Sequence, residues 1–464
     1  MRFNLLLWLV AAAMSSVVMS LQGREEDPNG LMRCGTQFDI ATAVAAAGSD
    51  TTNPGRPVVA TDGTDYLVVY RRTLDQPMGM FASLLRADGQ IVRTVLVSNP
   101  GFSPSATFDG TNYLVVYSRS GLIYGTRLNR AGMPLGELQV SSGEPLLASN
   151  DWPVAAFDGQ RYLVAWMSYA TWDWAAVYDI MGARVDSEGR VLNEFPISRE
   201  LGYQVFPSVA SAGDNSLVVW RDSRPGAGGD NDVWGARISP AGAVLDPGGF
   251  PICTQADVQE DPVVTYGAGN YFVAWVDNRG TGQPAWAGSF IYGVRVRPDG
   301  TLLDGPPERS GVPITSLPGS SWYPALASDG RAYYTVWEVE GPSPSERAGI
   351  FFAQVTSAGL PADGPAEWGG IPVGASTEWG SNLAYGSIAC AGKRLLITWL
   401  CNAQLMESTK KIQGAFIDLD HVPQQPAWLE LRQPQPTAGL ELVLAGEPGC
   451  VYLLQSAPSL AAAA

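Results

Sequence analysis

An all-β fold, a seven-bladed β-propeller of four-stranded antiparallel blades, is predicted by three features of the sequence. A fourteen-residue segment is written seven times, a second segment follows each copy, glycine-centred in five of the seven, and the closing aromatics of successive copies lie 47, 49, 54, 55, 62 and 62 residues apart. A constant core with variable spacers marks a repeat architecture. Four short strands in about fifty residues, repeated in a ring, describe propeller blades.

Taken in chain order, residues 1–20 read as a signal peptide. Met1 and Arg2 form a basic start, residues 5–14 are an apolar run too short to span a bilayer, and Val18, Met19 and Ser20 suit cleavage. The expected address is exported: secreted, periplasmic or cell-surface, with no membrane span after cleavage. Next comes an orphan strand, FDIAT at 38–42, which is predicted to complete blade seven and close the ring with few exposed edges.

The seven copies begin at Pro57, Pro104, Pro153, Pro207, Pro262, Pro324 and Gly386 and end at Tyr70, Tyr117, Trp166, Trp220, Trp275, Trp337 and Trp399. Each opens with a small-residue strand and a turn, commonly Asp-Gly, then continues into an unbroken apolar run. Unbroken runs belong to strands covered on both faces. The third strand follows, as in IMGARVDSEG at 180–189, with its inner glycine at Gly125, Gly182, Gly235, Gly293 and Gly414. Glycine within a strand marks a close approach, and a Trp or Tyr ring is expected over it. Fourth strands are read in FPIS (195–198), FPICT (250–254) and VPITS (312–316). The propeller is thus assigned to 38–420, a Pro/Gln linker to 421–427, and a short or truncated β appendage to 428–464.

These motifs resemble seven-bladed β-propellers of the WD-repeat size class, and more narrowly the repeat arrays of large exported bacterial proteins. The resemblance covers 38–420. Gly-His and Trp-Asp signatures are absent, as are the Ser-x-Asp-x-Gly-x-x-Trp boxes of sialidase-like propellers, so the resemblance implies no catalytic residues. YLLQS at 452–456 resembles part of a β-sandwich segment found at the C-termini of exported bacterial proteins.

Composition narrows the partners. A net charge of −16 and a pI near 4.5 repel phosphate backbones and anionic membranes. The single histidine, His421, falls at a hairpin position and removes Ser-His-Asp and multi-histidine metal sites. Five cysteines form no metal pattern; Cys253 and Cys390 read as small buried hydrophobes, while Cys34 and Cys450 are free to pair.

The variable connections all lie on the face carrying the second–third and fourth–first loops, where a rigid scaffold displays functional residues. The residue before each copy is Arg56, Ser103, Trp152, Phe206, Asp261, Tyr323 and Tyr385, and Trp322 and Trp379 lie close by. Blade three adds Tyr169, Trp172, Trp174 and Tyr178 among Asp173 and Asp179. Rings beside acids suit stacking on a sugar or anchoring a protein. The ligand-binding set is therefore Trp152, Trp172, Trp174, Phe206, Trp322, Tyr323, Trp379 and Tyr385; equally, such rings can simply pack between blades. Asp222 and Arg224 are repeated as Asp277 and Arg279, with Asp230 and Asp232 beyond, and the acids of this group offer oxygens for calcium. Their spacing matches no calcium loop, so no cofactor is assigned, and pairing of these Asp and Arg side chains with each other or with the third-strand arginines Arg184, Arg237 and Arg295 is the structural alternative.

Together these features predict an exported, monomeric, non-enzymatic propeller that binds a carbohydrate or protein through its long-loop face. The alternatives are a glycan-processing hydrolase or lyase using Asp151, Asp173, Asp261, Glu338 or Glu378 at the channel mouth, and a structural cell-envelope module.

Overall fold

The computed structural model describes residues 37–41, 56–72, 78–143, 149–172, 175–224, 231–279, 288–315, 320–340, 349–362, 370–375, 382–402, 410–419, 428–432 and 441–445. Two compact units divide the chain: Gly35–Ile417, and Met1–Cys34 with Asp418–Ala464. Within the second unit, Trp428–Arg432 pairs antiparallel with Glu441–Ala445. The cysteines Cys34 and Cys450 and the third expected tail strand lie outside the described residues.

The first unit is a seven-bladed β-propeller of four-stranded antiparallel sheets. In blades one to six the strands follow chain order from the axis outward. Blade seven runs Phe38–Ala41, Lys410–Asp418, Arg394–Asn402, Asn382–Ala391 from rim to axis, so the N-terminal strand is its outermost member. Phe38 pairs with Gly414 and Asp39 with Gln413, and the Phe38 ring stacks on Phe416 at 5.5 Å. Ile40 and Ala41 are buried in the core shared by blades seven and one. The closure read from FDIAT is what the structure shows.

Second strands behave as their unbroken apolar runs predict. Residues 66–70, 162–166 and 271–275 are buried throughout, because a neighbouring blade covers each face. The tyrosine opening most of these strands ties one blade to the next. Tyr66 donates to the Arg394 carbonyl (2.7 Å), Tyr162 to Asp109 Oδ2 (2.7 Å) and Tyr333 to the Gly267 carbonyl (2.8 Å). A buried hydroxyl needs such a partner.

The third-strand glycines require correction. Their neighbours are not Trp or Tyr rings but aliphatic and phenyl side chains of the flanking strands: Leu114 and Leu138 at Gly125, Ile252 at Gly235, Phe272 and Ile314 at Gly293. The large indoles instead reach the turn before the fourth strand. A Cβ at Gly311 would lie 2.6 Å from the Trp275 ring.

Cys253 is buried, as expected, whereas Cys390 is half-buried; both thiols are free.

Candidate functional site

In blades two to seven the innermost strand begins two to four residues earlier than the repeat pattern suggests and carries a bulge at the residue preceding the repeat, whereas in blade one it runs Val58–Thr61 without a bulge. In blade three Asp151 pairs with Met167 and Val154 with Ala165, so Trp152 and Pro153 together face the single residue Trp166. The same two-against-one step places 206–207 opposite Trp220, 261–262 opposite Trp275, 323–324 opposite Trp337, 385–386 opposite Trp399 and 103–104 opposite Tyr117. The second bulge residue is usually proline, which has no N–H to lose from the ladder.

The first bulge residue is left-handed in six blades: φ is +48° at Ser103, +53° at Trp152, +55° at Phe206, +49° at Asp261, +50° at Tyr323 and +57° at Tyr385. Bulky residues in this region each carry on the order of 1–3 kcal/mol of strain. Consecutive innermost strands pack edge to edge around the whole ring, so the bulges meet at its centre. Arg56, Ser103, Trp152, Phe206, Asp261, Tyr323 and Tyr385, one per blade, all line one axial cavity of about 410 Å³. That volume lies in the range of small-molecule sites.

Around the ring, two aromatic arcs alternate with two polar ends. Trp152 and Phe206, on blades three and four, meet edge to face at 5.0 Å and 87°. Tyr323 and Tyr385, on blades six and seven, lie 4.7 Å apart, tilted by 46°, and Tyr323 donates a hydrogen bond to the Tyr385 hydroxyl. Burial pushes both hydroxyls up from the usual tyrosine range. Because the rings are tilted within each pair, they wall a box rather than form the flat sugar platform that coplanar rings would make. All five described ring residues of the predicted set, Trp322 included, line this cavity, and each is half-buried.

Asp261 occupies the end between the arcs on blade five. Withdrawal from bulk water, reinforced by the charge of Glu260, pushes its carboxyl up to about 6, against weaker opposing pulls from Arg56 and Arg221. Among the described residues it makes neither a hydrogen bond nor an ion pair, although part of its surface remains open to the cavity. Its neighbour Glu260 differs, being held by Arg221 Nη1 (3.0 Å) and Asn231 Nδ2 (3.2 Å). The Arg221 guanidinium also lies over the Phe206 ring at 4.8 Å. Arg56 sits at the opposite end, beside Ser103, and likewise has no hydrogen bond or ion pair among the described residues.

The remaining expected acids are engaged elsewhere or not described. Asp151 Oδ1 accepts from Ser118 Oγ (2.6 Å) and from the Trp152 amide (2.7 Å). Glu338 is buried and accepts from the Tyr385 amide (3.3 Å). Trp174, Trp379, Asp173 and Glu378 lie outside the described residues, and of Trp172 only the backbone is described, at the tip of the long blade-three hairpin. On that hairpin Tyr169, Tyr178 and Tyr203 of blade four form a ladder with spacings of 4.8 and 5.3 Å, outside the cavity lining.

The Asp-x-Arg pairs resolve as local locks. Asp222 accepts from the Trp220 indole (2.8 Å) and from Arg224 Nη2 (2.7 Å). Asp277 repeats this with Trp275 (2.7 Å) and Arg279 (2.5 Å). The third-strand arginines pair with other acids: Arg184 with Asp158, Arg237 with Asp246, Arg295 with Asp304. Among the described residues no three His, Cys, Asp or Glu gather to hold a metal, and Asp230 lies outside them.

No protein-family model matches the sequence, and no curated protein matches it. Among solved structures the chain is similar to Kuenenia stuttgartiensis hydrazine synthase (13% identity, 79% of this chain and 97% of that one, TM-score 0.44). It is also similar to the parainfluenza virus 5 hemagglutinin-neuraminidase ectodomain (10%, 68% and 82%, 0.42) and to Lactobacillus brevis alpha-L-arabinofuranosidase (12%, 67% and 89%, 0.38). At such identities and scores nothing about ligand or chemistry transfers.

Proposed function

We propose that this protein is a non-catalytic binding propeller that takes a small polar molecule, up to about the size of one or two sugar rings, into its axial cavity. The observation that carries this reading is the convergence of one left-handed bulge residue from each of blades two to seven, with Arg56 from blade one, on a single cavity. Strain held at several positions around one cavity is a mark of function rather than of packing. Aromatic walls with a few converging polar groups are the usual lining of a small-molecule site. Against hydrolysis stands the state of the acids: a glycosidase needs two working carboxylates, and Glu260, Asp151 and Glu338 are each engaged by neighbours. Export follows from the leader-like pattern of residues 1–20 and belongs to the same proposal.

A binding screen with saccharides and small metabolites, run on the wild type and on Trp152→Ala and Tyr385→Ala, tests the reading. A binder whose affinity falls about tenfold or more in folded variants is expected, as for truncation of a buried aromatic anchor. No binder, or one untouched by both changes, overturns it. Asp261 is the one feature that favours catalysis, and turnover of chromogenic glycosides that is lost in Asp261→Asn would replace binding with hydrolysis.

A further inference from the structure

We propose that the axial cavity is a receptor for a small zwitterion of the amino-acid or betaine class, its cationic group received at Asp261 and its carboxylate at Arg56. This rests on the reading of the cavity as the ligand site and names the chemistry of the ligand.

The two charges line one cavity from well-separated blades. Asp261 stands on blade five and Arg56 on blade one, with blades six and seven between them on one side and two, three and four on the other. Both side chains line the same cavity, and among the described residues neither is satisfied by a hydrogen bond or an ion pair. Opposite charges that share a cavity without joining leave each other's field uncancelled. A ligand of matching polarity can use both, whereas a neutral sugar leaves two charges short of counterions.

The walls agree with the ends. Beside Asp261 are the rings of Phe206 and Tyr323, on the flanking blades, and aromatic faces attract ammonium and methylammonium groups. At the other end the guanidinium of Arg56 presents a planar fork suited to a carboxylate, with Ser103 next to it. Of the other acids near the cavity, Glu260 pairs with Arg221 at 3.0 Å yet still adds negative charge at Asp261, and Glu338 is buried and accepts from the Tyr385 amide. Among the described residues the guanidinium groups of Arg56 and Arg221 pull the other way on Asp261, and the phenols of Tyr323 and Tyr385, which face the same charges, stay neutral through the working pH range.

Calorimetric titration of the full chain with the twenty common α-amino acids and glycine betaine, beside glucose, maltose and N-acetylglucosamine, decides the matter. At least one zwitterion is expected to bind at pH 7.5, with affinity reduced about tenfold or more by Asp261→Asn and by Arg56→Gln. That affinity should also fall from pH 7.5 to pH 5 in the wild type, as the Asp261 carboxylate takes up a proton, and stay level in Asp261→Asn. Melting curves confirm that both variants are folded. If the neutral sugars bind as well as any zwitterion, or if both variants bind a zwitterion as tightly as the wild type, the zwitterion assignment is overturned while the cavity remains the site. If no probe binds and the wider screen also fails, the site itself is overturned.

Discussion

An ionised Asp261 works against the fold, and replacing it with asparagine should stabilise the protein. The carboxyl is pushed up from 3.8 to about 6 because the cavity removes it from bulk water and Glu260 adds a like charge. Raising the carboxyl that far costs the ionised form about 3 kcal/mol, since each tenfold change in acidity is worth about 1.4 kcal/mol. The sign follows from proton binding. Between pH 4 and 6 the folded state holds more protons at this site than the unfolded chain, so stability rises as the pH falls through 6 and is lost as it climbs back. Asparagine mimics the protonated form and tolerates the left-handed backbone at this position, where φ is +49°. Urea unfolding of wild type and Asp261→Asn at pH 4, 6 and 8 gives the comparison, and differences between the two proteins cancel the titration of every other group. The variant should be more stable by up to about 3 kcal/mol at pH 8 and equal to the wild type near pH 4. A variant no more stable at pH 8, or an advantage that does not change with pH, would refute the reasoning that the cavity leaves this carboxylate without a partner. Stability given up at a single residue in a cavity is the usual cost of a binding site.

Three further outcomes test the scaffold. Gly311→Ala should destabilise by about 1–3 kcal/mol, since a Cβ would lie 2.6 Å from the Trp275 ring at φ +89°; Gly63→Ala, at φ +90° with nothing within 4 Å, should lose less, as paired melting curves will show. Ile40→Ala removes a buried side chain of the closing strand and should cost about 2–5 kcal/mol in urea unfolding; an unchanged midpoint would mean that the N-terminal strand does not hold blade seven. Asp277→Ala strands the Trp275 indole N–H and removes the counter-charge of Arg279, which keeps its bonds to the Ser310 carbonyl and Cys253, and should cost about 3–5 kcal/mol, whereas added calcium should leave the wild-type melting temperature where it was.

Much of the site could be read once the repeat was aligned. The residue before each copy and the aromatic that closes it keep a constant separation because they meet across one bulge, which is why Trp152 and Trp166, or Asp261 and Trp275, stay in step while the loops vary. The repeat pattern also pointed to the face and to the aromatics. It did not separate Trp152 and Phe206, which wall the cavity, from Tyr169 and Tyr178, which stack on one another outside its lining, since aromatic composition is the same in both places. The Asp-x-Arg pairs were equally open between metal and lock, until the indoles of Trp220 and Trp275 proved to take up the second carboxylate oxygen.

From the order of residues alone came the seven blades, the closure by Phe38–Ala41 and the circle of pre-repeat positions, because strand period, turn residues and repeat register are local properties written along the chain. Only the tertiary structure decided which of those positions share a cavity and which charges within it find no hydrogen bond or ion pair among the described residues. Arg56 and Asp261 stand far apart in the chain, and the charge felt by a carboxylate depends on neighbours brought by other blades and on the water those blades exclude.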